Sequence, residues 1–529
     1  MRLLHVRRRS TSRRPAFRPS LDECESRQLL SVPGGSIPAT GFFRPIFDEA
    51  GFKHVRTHVR AFISRAVQAN GVADLKTEPS HHHQNAIVGL STSGVRATYR
   101  VIAHAVARPV AAGVTPALSP VTGRFPIVSL DGPPYWPDQI KQAYGFDQVS
   151  FTRSFYYRGH RFYYNIPGDG SGETIAIVDA YDDPTIFRDA DTFDRLYAVS
   201  QYNSSSLYNA YGPSSSWLTK VTPEGTPAVS SGWSSEIALD VEWAHAIAPG
   251  AKIMLIEAKS PYDSDMFGAV DYARKQPGVS VVSMSWDRPE FLGETSDDGY
   301  FTSQNGQGIT FIASSGDSPG VQYPSASPNV LAIGGTSLSL IVNSYNGESI
   351  WASTGGGVSA DEPAPIYQGY LGGSMGWKRA VPDAAYDADP NTGFWVYDTT
   401  GGNGWYADGG TSAGAPQWSA IIAIANQGRA LYGLPTLNGP SQTLPLLYSA
   451  SSLDFNDITS GSNKGYSAGP GYDMVTGLGS PKADFVVYSL IGQNFYLSNG
   501  VLTVNGDQLG ANYNDEVVLS LTSSGGEQV

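Results

Sequence analysis

Unbroken apolar runs, rather than strict in–out alternation, set the rhythm of the central part of this chain. Thr174–Ala180 (Thr-Ile-Ala-Ile-Val-Asp-Ala) and Ala251–Ala258 (Ala-Lys-Ile-Met-Leu-Ile-Glu-Ala) are the clearest cases. A short strand with apolar residues on both faces belongs inside a parallel sheet covered on two sides. Val279–Trp286, Ile309–Ser314 and Val330–Thr336 repeat the pattern. Between and after them, Ser234–Ile247, Ser264–Lys275 and Ser412–Gln427 carry helical spacing. Strands alternating with helices predict an α/β fold: a doubly wound, mainly parallel sheet with helices on both faces. Sites in such sheets lie at the C-terminal ends of the strands. Asp179, Ser285-Trp286 and Gly316-Asp317 stand at those ends.

The rhythm is confined to residues 134–490. Residues 1–32 are arginine-rich (Arg2, Arg7, Arg8, Arg9, Arg13, Arg14, Arg18) and resemble the leader of certain bacterial exported surface proteins. Residues 33–133 have no clear core period and read as a linker or reduced pro-region, largely disordered. They include a helical apolar pattern over 53–69 and His81-His82-His83, read as linker rather than as a specific metal site. Residues 491–529 alternate and turn like β-structure and are expected to form a β-rich C-terminal extension.

Composition narrows the function. A hydrophobic content of 41% is ample for a core, and a net charge of −13 argues against nucleic acid as partner. Cys24 is the one cysteine, so no intrachain disulfide forms. No apolar stretch reaches the length of a transmembrane helix. Oligomeric state is not legible.

Candidate chemistry begins at Gly409-Gly410-Thr411-Ser412-Ala413-Gly414-Ala415-Pro416. Small residues opening into an apolar helix suit a serine nucleophile near free backbone N–H groups. A serine hydroxyl needs a base, and none of the nine histidines stands in a His-Gly-Thr-like context. Glu236 and Asp240 do offer one: spaced i and i+4 on a helix of largely buried character, they share a face and can hold one proton between them. His245, five residues beyond Asp240, sits about 140° further around that helix and reads as structural. Asp317, after an apolar strand, supplies a third carboxyl that can donate to an oxyanion while neutral, which favours acid.

These segments, taken in order, resemble the sedolisins, or serine-carboxyl peptidases. The resemblance rests on Pro137–Phe146, the Glu-x-x-x-Asp of Glu236 and Asp240, Ala248–Lys252, Asp317, Tyr323-Pro324, Gly334-Gly335-Thr336 and Ser412. It implies a subtilisin-like fold, hydrolysis of protein or peptide bonds in acid, and secretion or display at the cell surface. It also implies a wider network behind the acid pair through Asp179 and Trp286. A single structural Ca²⁺ is implied at Asp457, Ile458, Gly469, Gly471 and Asp473, whose carboxylates and backbone carbonyls are the hard oxygen ligands that ion prefers. The family's folded propeptide has no evident counterpart in residues 1–133.

Two rival readings stay open. One is a catalytically silent surface module that uses the same fold for binding. The other is a histidine-dependent subtilisin, which the missing histidine motif disfavours.

Overall fold

A computed structural model describes residues 132–492, apart from 158–159, 201–202, 305, 372–375 and 403. It also describes the backbone of Arg2–Arg7, Ala86–Gly89, Phe495–Ser498, Val501–Val504 and Val518–Ser523. The chain divides into two units, residues 99–493 and the two ends together. In the unit formed by the ends, Phe495–Ser498 and Val501–Val504 make an antiparallel hairpin, and Val501–Val504 also pairs with Ala86–Gly89. Arg2–Arg7 pairs antiparallel with Val518–Ser523. The rest of the expected leader, the 53–69 pattern and the three histidines lie outside the described residues.

The larger unit is built on an eight-stranded sheet. Its order runs Ser344–Ile350, Val330–Ile341, Thr310–Ser314, Val279–Met284, Thr174–Ala180, Lys252–Ala258, Leu218–Val221, and Ala384–Asp387 pairs alongside Val330–Ile341. Every pairing in it is parallel except that of Ser344–Ile350 with Val330–Ile341. The apolar runs therefore form the centre of the sheet, where both faces are covered.

Period two sorts the side chains of each strand. Ala176, Val178 and Ala180 join a buried cluster with Met266, Phe267 and Val270 of the helix Asp263–Ala273. Asp179, one residue out of phase, turns to the other face. There the helices Ser231–Ile247 and Gly414–Leu431 cover the sheet. Both are buried on nearly all sides, as suits helices enclosed between the sheet and neighbouring segments. Trp243 and Trp418 are fully buried, and each indole N–H finds a carbonyl: Trp243 on Trp395 (3.0 Å) and Trp418 on Ala385 (3.2 Å).

The expected elements are present, with shifted ends. The helix expected from Ser264 runs Asp263–Ala273, and the strand expected to reach Trp286 stops at Met284. Leu218–Val221, Ser344–Ile350 and Ala384–Asp387 carry weaker apolar patterns because each is short, edge-placed or flanked by polar residues.

Candidate active site

Ser412 rides on a 3₁₀ turn, Thr411–Ala413, that leads into the helix Gly414–Leu431. The helix expected to start at the serine thus begins two residues later. The Ala413 N–H closes on the Gly410 carbonyl at 3.1 Å, the i to i+3 bond that tightens such a turn. Gly410 has φ +90°, and a β-carbon there would lie 2.6 Å from Asp317 Oδ2. Only glycine allows both that backbone and that approach.

The helix Ser231–Ile247 brings Glu236 and Asp240 to the serine. The Ser412 side chain is hydrogen-bonded to the Glu236 carboxyl. Asp240 is fully buried and accepts from Ser285 Oγ at 2.9 Å, and the same hydroxyl lies 3.3 Å from the Ser412 carbonyl. Glu236 Oε1 and Asp240 Oδ2 meet no donor. Burial is the main force that pushes both carboxyls well above the ordinary carboxylate range. The charge of Asp179 adds to this at both, and the Ser412 and Ser285 hydroxyls oppose it.

Asp317 lies three residues past the strand Thr310–Ser314, and Thr411 fixes it. The Thr411 N–H and hydroxyl both reach Oδ1 at 2.8 Å, while the Gly316 N–H donates to the Thr411 hydroxyl at 3.1 Å. The turn that bears Asp317 and the turn that bears Ser412 are therefore bolted together through one threonine.

Behind the pair, Asp179 is fully buried and neither of its oxygens has a donor. Burial, and next the charge of Glu257 beside it, push it up to about 8. The adjacent Trp286 departs from expectation. Its indole N–H donates to the Val178 carbonyl at 2.9 Å, so it braces the C-terminal end of a central strand and not a carboxyl. The reason is the strand's phase: Val178 and Asp179 point to opposite faces, and the ring packs on the side of Phe267. His245 is structural as expected, buried with Nε2 3.2 Å from Asp194 and its ring stacked on Trp217.

Two neighbours were given no part in the chemistry by the sequence reading, which placed Ser285 only at a strand end. Ser285 carries the hydroxyl on Asp240, and Asp408, at the end of the strand Gly404–Asp408, adds negative charge beside Glu236, Asp240 and Asp317. Burial, opposed by the Gly409 N–H, and then Asp317 push Asp408 up to about 6. A carboxyl directly before the Gly-Gly-Thr-Ser run was a usable signal.

The candidate calcium residues also meet. The Gly471 N–H lies 3.1 Å from both Asp457 oxygens, and the Gly469 N–H donates to Asp473 Oδ2 at 3.0 Å. Asp473 further accepts from the N–H groups of Val475 (3.0 Å) and Thr476 (2.8 Å). Ile458 is buried against Ile350 and Val475, which anchors the loop to the domain. Among the described residues no trio of His, Cys, Asp or Glu is grouped to hold a metal, so any ion here needs backbone carbonyls in its shell.

Comparison with known proteins gives consistent relatives. Residues 231–436 match the model of the subtilase family, peptidase S8. Kumamolisin of Bacillus sp. (strain MN-32) is 35% identical over 355 residues, 59% of each chain. Sedolisin of Pseudomonas sp. (strain 101) is 29% identical over 239 residues, 38% of this chain and 39% of that protein. The chain thus spans less than two thirds of the length of these relatives. A solved Pseudomonas sedolisin, a serine-carboxyl proteinase complexed with two molecules of pseudo-iodotyrostatin, superposes with a TM-score of 0.55 at 22% identity. That likeness covers 68% of this chain and 98% of the other, and establishes the subtilisin-like fold.

Proposed function

Because this chain belongs to the sedolisin family, we propose that it is an acid-acting serine-carboxyl endopeptidase. The observation that carries the reading is the hydrogen bond from the Ser412 side chain to the Glu236 carboxyl. Glu236 takes the hydroxyl proton as Ser412 Oγ attacks the scissile carbonyl carbon. The tetrahedral oxyanion is received by Asp317, which donates while neutral, and by the Ser412 N–H. Glu236 then returns the proton to the departing amine, the C–N bond breaks, and an acyl ester on Ser412 is left. Water, deprotonated by Glu236, cleaves that ester and frees the enzyme. Asp240, steadied by Ser285, orients Glu236, and Asp179 lies next in line behind the pair.

This chemistry needs ionised Glu236 beside neutral Asp317. A carboxyl donates to an oxyanion only while it carries a proton, and that requirement favours acid. A catalytically silent binding module would have no use for four carboxyls converging around one serine at the expense of unpartnered buried oxygens.

We further infer one structural Ca²⁺. Asp457 and Asp473 would give carboxylate oxygens and Ile458, Gly469 and Gly471 backbone carbonyls. The closure of the 469–473 loop onto Asp457 supports that donor set. When bound, the ion would tie this loop to the domain in a chain that has no disulfide. We also infer export to the cell surface or medium, with protein or peptide substrates.

Digestion of a denatured protein at pH 4 and pH 8, by the wild type and by Ser412→Ala, tests the proposal. Cleavage within the substrate chain at pH 4, absent from the variant, is expected. An alkaline maximum would favour the histidine-dependent reading, and no cleavage at either pH the binding module.

A further inference from the structure

The turn that carries Asp317 is held between two arms. On one side lies the glycine run 355–357. The Gly355 N–H donates to the Gly316 carbonyl (2.7 Å), the Gly356 N–H to that of Gly320 (2.8 Å), and Ser315 Oγ to the Gly355 carbonyl (3.1 Å). A β-carbon on Gly355 would stand 2.0 Å from the Ser315 carbonyl oxygen, so the contact is backbone on backbone. This arm continues as the strand Gly357–Pro363. On the other side, Arg288–Pro289 pairs with Gln322–Tyr323 at the far end of the same turn. That arm continues through Glu290 into the short helices Glu294–Ser296 and Asp298–Phe301.

Past the turn, the arms meet again through carboxyls. Glu290 accepts from the Ser359 hydroxyl and, at 3.2 Å, from the Ala360 N–H, which ties it to the first arm. Glu362 and Glu294 are 0% exposed. No donor reaches either oxygen of Glu362, nor Oε1 of Glu294. Apart from the Phe291 N–H, which donates to Glu294 Oε2 at 2.8 Å, what these two glutamates meet is other carboxyls: Glu362 is hydrogen-bonded with Asp298 of the other arm, and Glu294 with Glu290 of its own. A carboxyl–carboxyl hydrogen bond exists only while one partner carries a proton.

The remaining charged surroundings do not neutralise the group. Asp297 and Asp361 add negative charge. The ammonium of Lys378 is held by the Asp361 backbone carbonyl at 3.1 Å, and Arg288 pairs with Asp263. Tyr323 donates its hydroxyl to Asp298 at 3.3 Å.

We propose that Glu294 and Glu362 are positioning residues in a proton-operated brace, which closes the two arms around the Asp317 turn when protonated and parts them when ionised. The functional half of this rests on the role given to Asp317 above. Burial first, and then the surrounding carboxyls, push Glu294 up to about 7 and Glu362 up to about 8. Their folded values thus lie above those of the unfolded chain, about 4.3. The brace therefore contributes its full stability below that ordinary value and loses it as the pH rises through 7 to 8. Residues outside the group around Ser412 would in this way impose an upper pH limit on the enzyme.

The test is the double variant Glu294→Gln/Glu362→Gln in the full chain. An amide keeps the shape of a protonated carboxyl, donates in its place and cannot ionise. Unfolding midpoints at pH 4 and pH 7.5 would be compared with the wild type. So would the pH–rate profile, and the activity recovered at pH 4 after holding at pH 7.5. The wild-type midpoint is expected to fall between the two pH values and that of the variant to fall less. The variant's half-life at pH 7.5 should lengthen about tenfold, the equivalent of one unit of proton linkage. Its alkaline limb should move to higher pH, with the rate at pH 4 little changed.

Equal falls in midpoint and equal half-lives would overturn the brace. So would a rise in wild-type midpoint on adding Ca²⁺ at pH 7.5 that the double variant lacks, since that would make the cluster a cation site. Should the double variant not fold, Glu362→Gln alone is put through the same measurements. An inactive wild type at pH 4 would defeat the catalytic reading, while the midpoints would still decide the brace.

Discussion

Asp383 and Asp179 are both fully buried carboxyls at strand ends or turns of the same domain, yet the fold treats them in opposite ways. Asp383 faces the buried guanidinium of Arg379, with bonds of 2.7 and 2.6 Å, and also accepts from the Tyr448 hydroxyl (2.7 Å) and the Ala332 N–H (2.8 Å). Every lone-pair direction has a use there. Asp179 has no donor at all, and its neighbours Asp240 and Glu236 each keep one oxygen unpartnered. The chain can evidently satisfy a buried carboxylate, so the bare group around Ser412 is not a defect of packing. Carboxyls left without cations or donors in the interior are held neutral or share protons, and such perturbed groups gather where chemistry is done. The brace at Glu294 and Glu362 repeats the second treatment away from the serine.

The contrast can be broken from either side. Ser412→Ala should have the largest effect, lowering kcat at pH 4 by about 10⁵–10⁶-fold without changing the unfolding midpoint. Next comes Arg379→Met, which strands the charge of Asp383 in the interior. It should cost about 3–5 kcal/mol in denaturant unfolding at pH 6. Asp317→Ala should lower kcat by about 10²–10³-fold, because one oxyanion donor is lost, and should also lower the unfolding midpoint, since the Thr411 N–H and hydroxyl lose their acceptor; an unaltered rate would remove Asp317 from the mechanism.

The smallest effect is a slope. Asp179 sits at about 8 when folded, above its unfolded value, so it favours the folded state in acid and ceases to do so as pH rises towards 8. Asp179→Asn should flatten the fall in unfolding midpoint between pH 5 and 8, whereas Asp383→Asn should lower the midpoint across that whole range. Parallel curves for wild type and Asp179→Asn would show that the two carboxyls are not treated differently after all.

Much of this was readable in advance, for local reasons. Apolar runs such as Thr174–Ala180 report burial on both faces, and i, i+4 spacing reports the shared face of Glu236 and Asp240. Other features depend on contacts between distant segments. Ser285 meets Asp240 across 45 positions and Thr411 meets Asp317 across 94. No local period encodes such distances. The indole of Trp286, expected in the network behind the acid pair, meets the Val178 backbone carbonyl, and one step of strand phase separates its face from that of the Asp179 side chain.

The amino-acid sequence by itself determined the class of fold, the strand and helix succession, and the choice of a candidate serine and three candidate carboxyls, because periodicity and short motifs are properties of neighbouring residues. Only the tertiary structure decided which carboxyls lost their donors, that Asp408 and Glu362 joined acidic groups, and that one threonine couples the turns of Asp317 and Ser412. Desolvation and proton sharing depend on what surrounds a group in space, and that is settled by sheet register and helix packing over separations no local pattern spans.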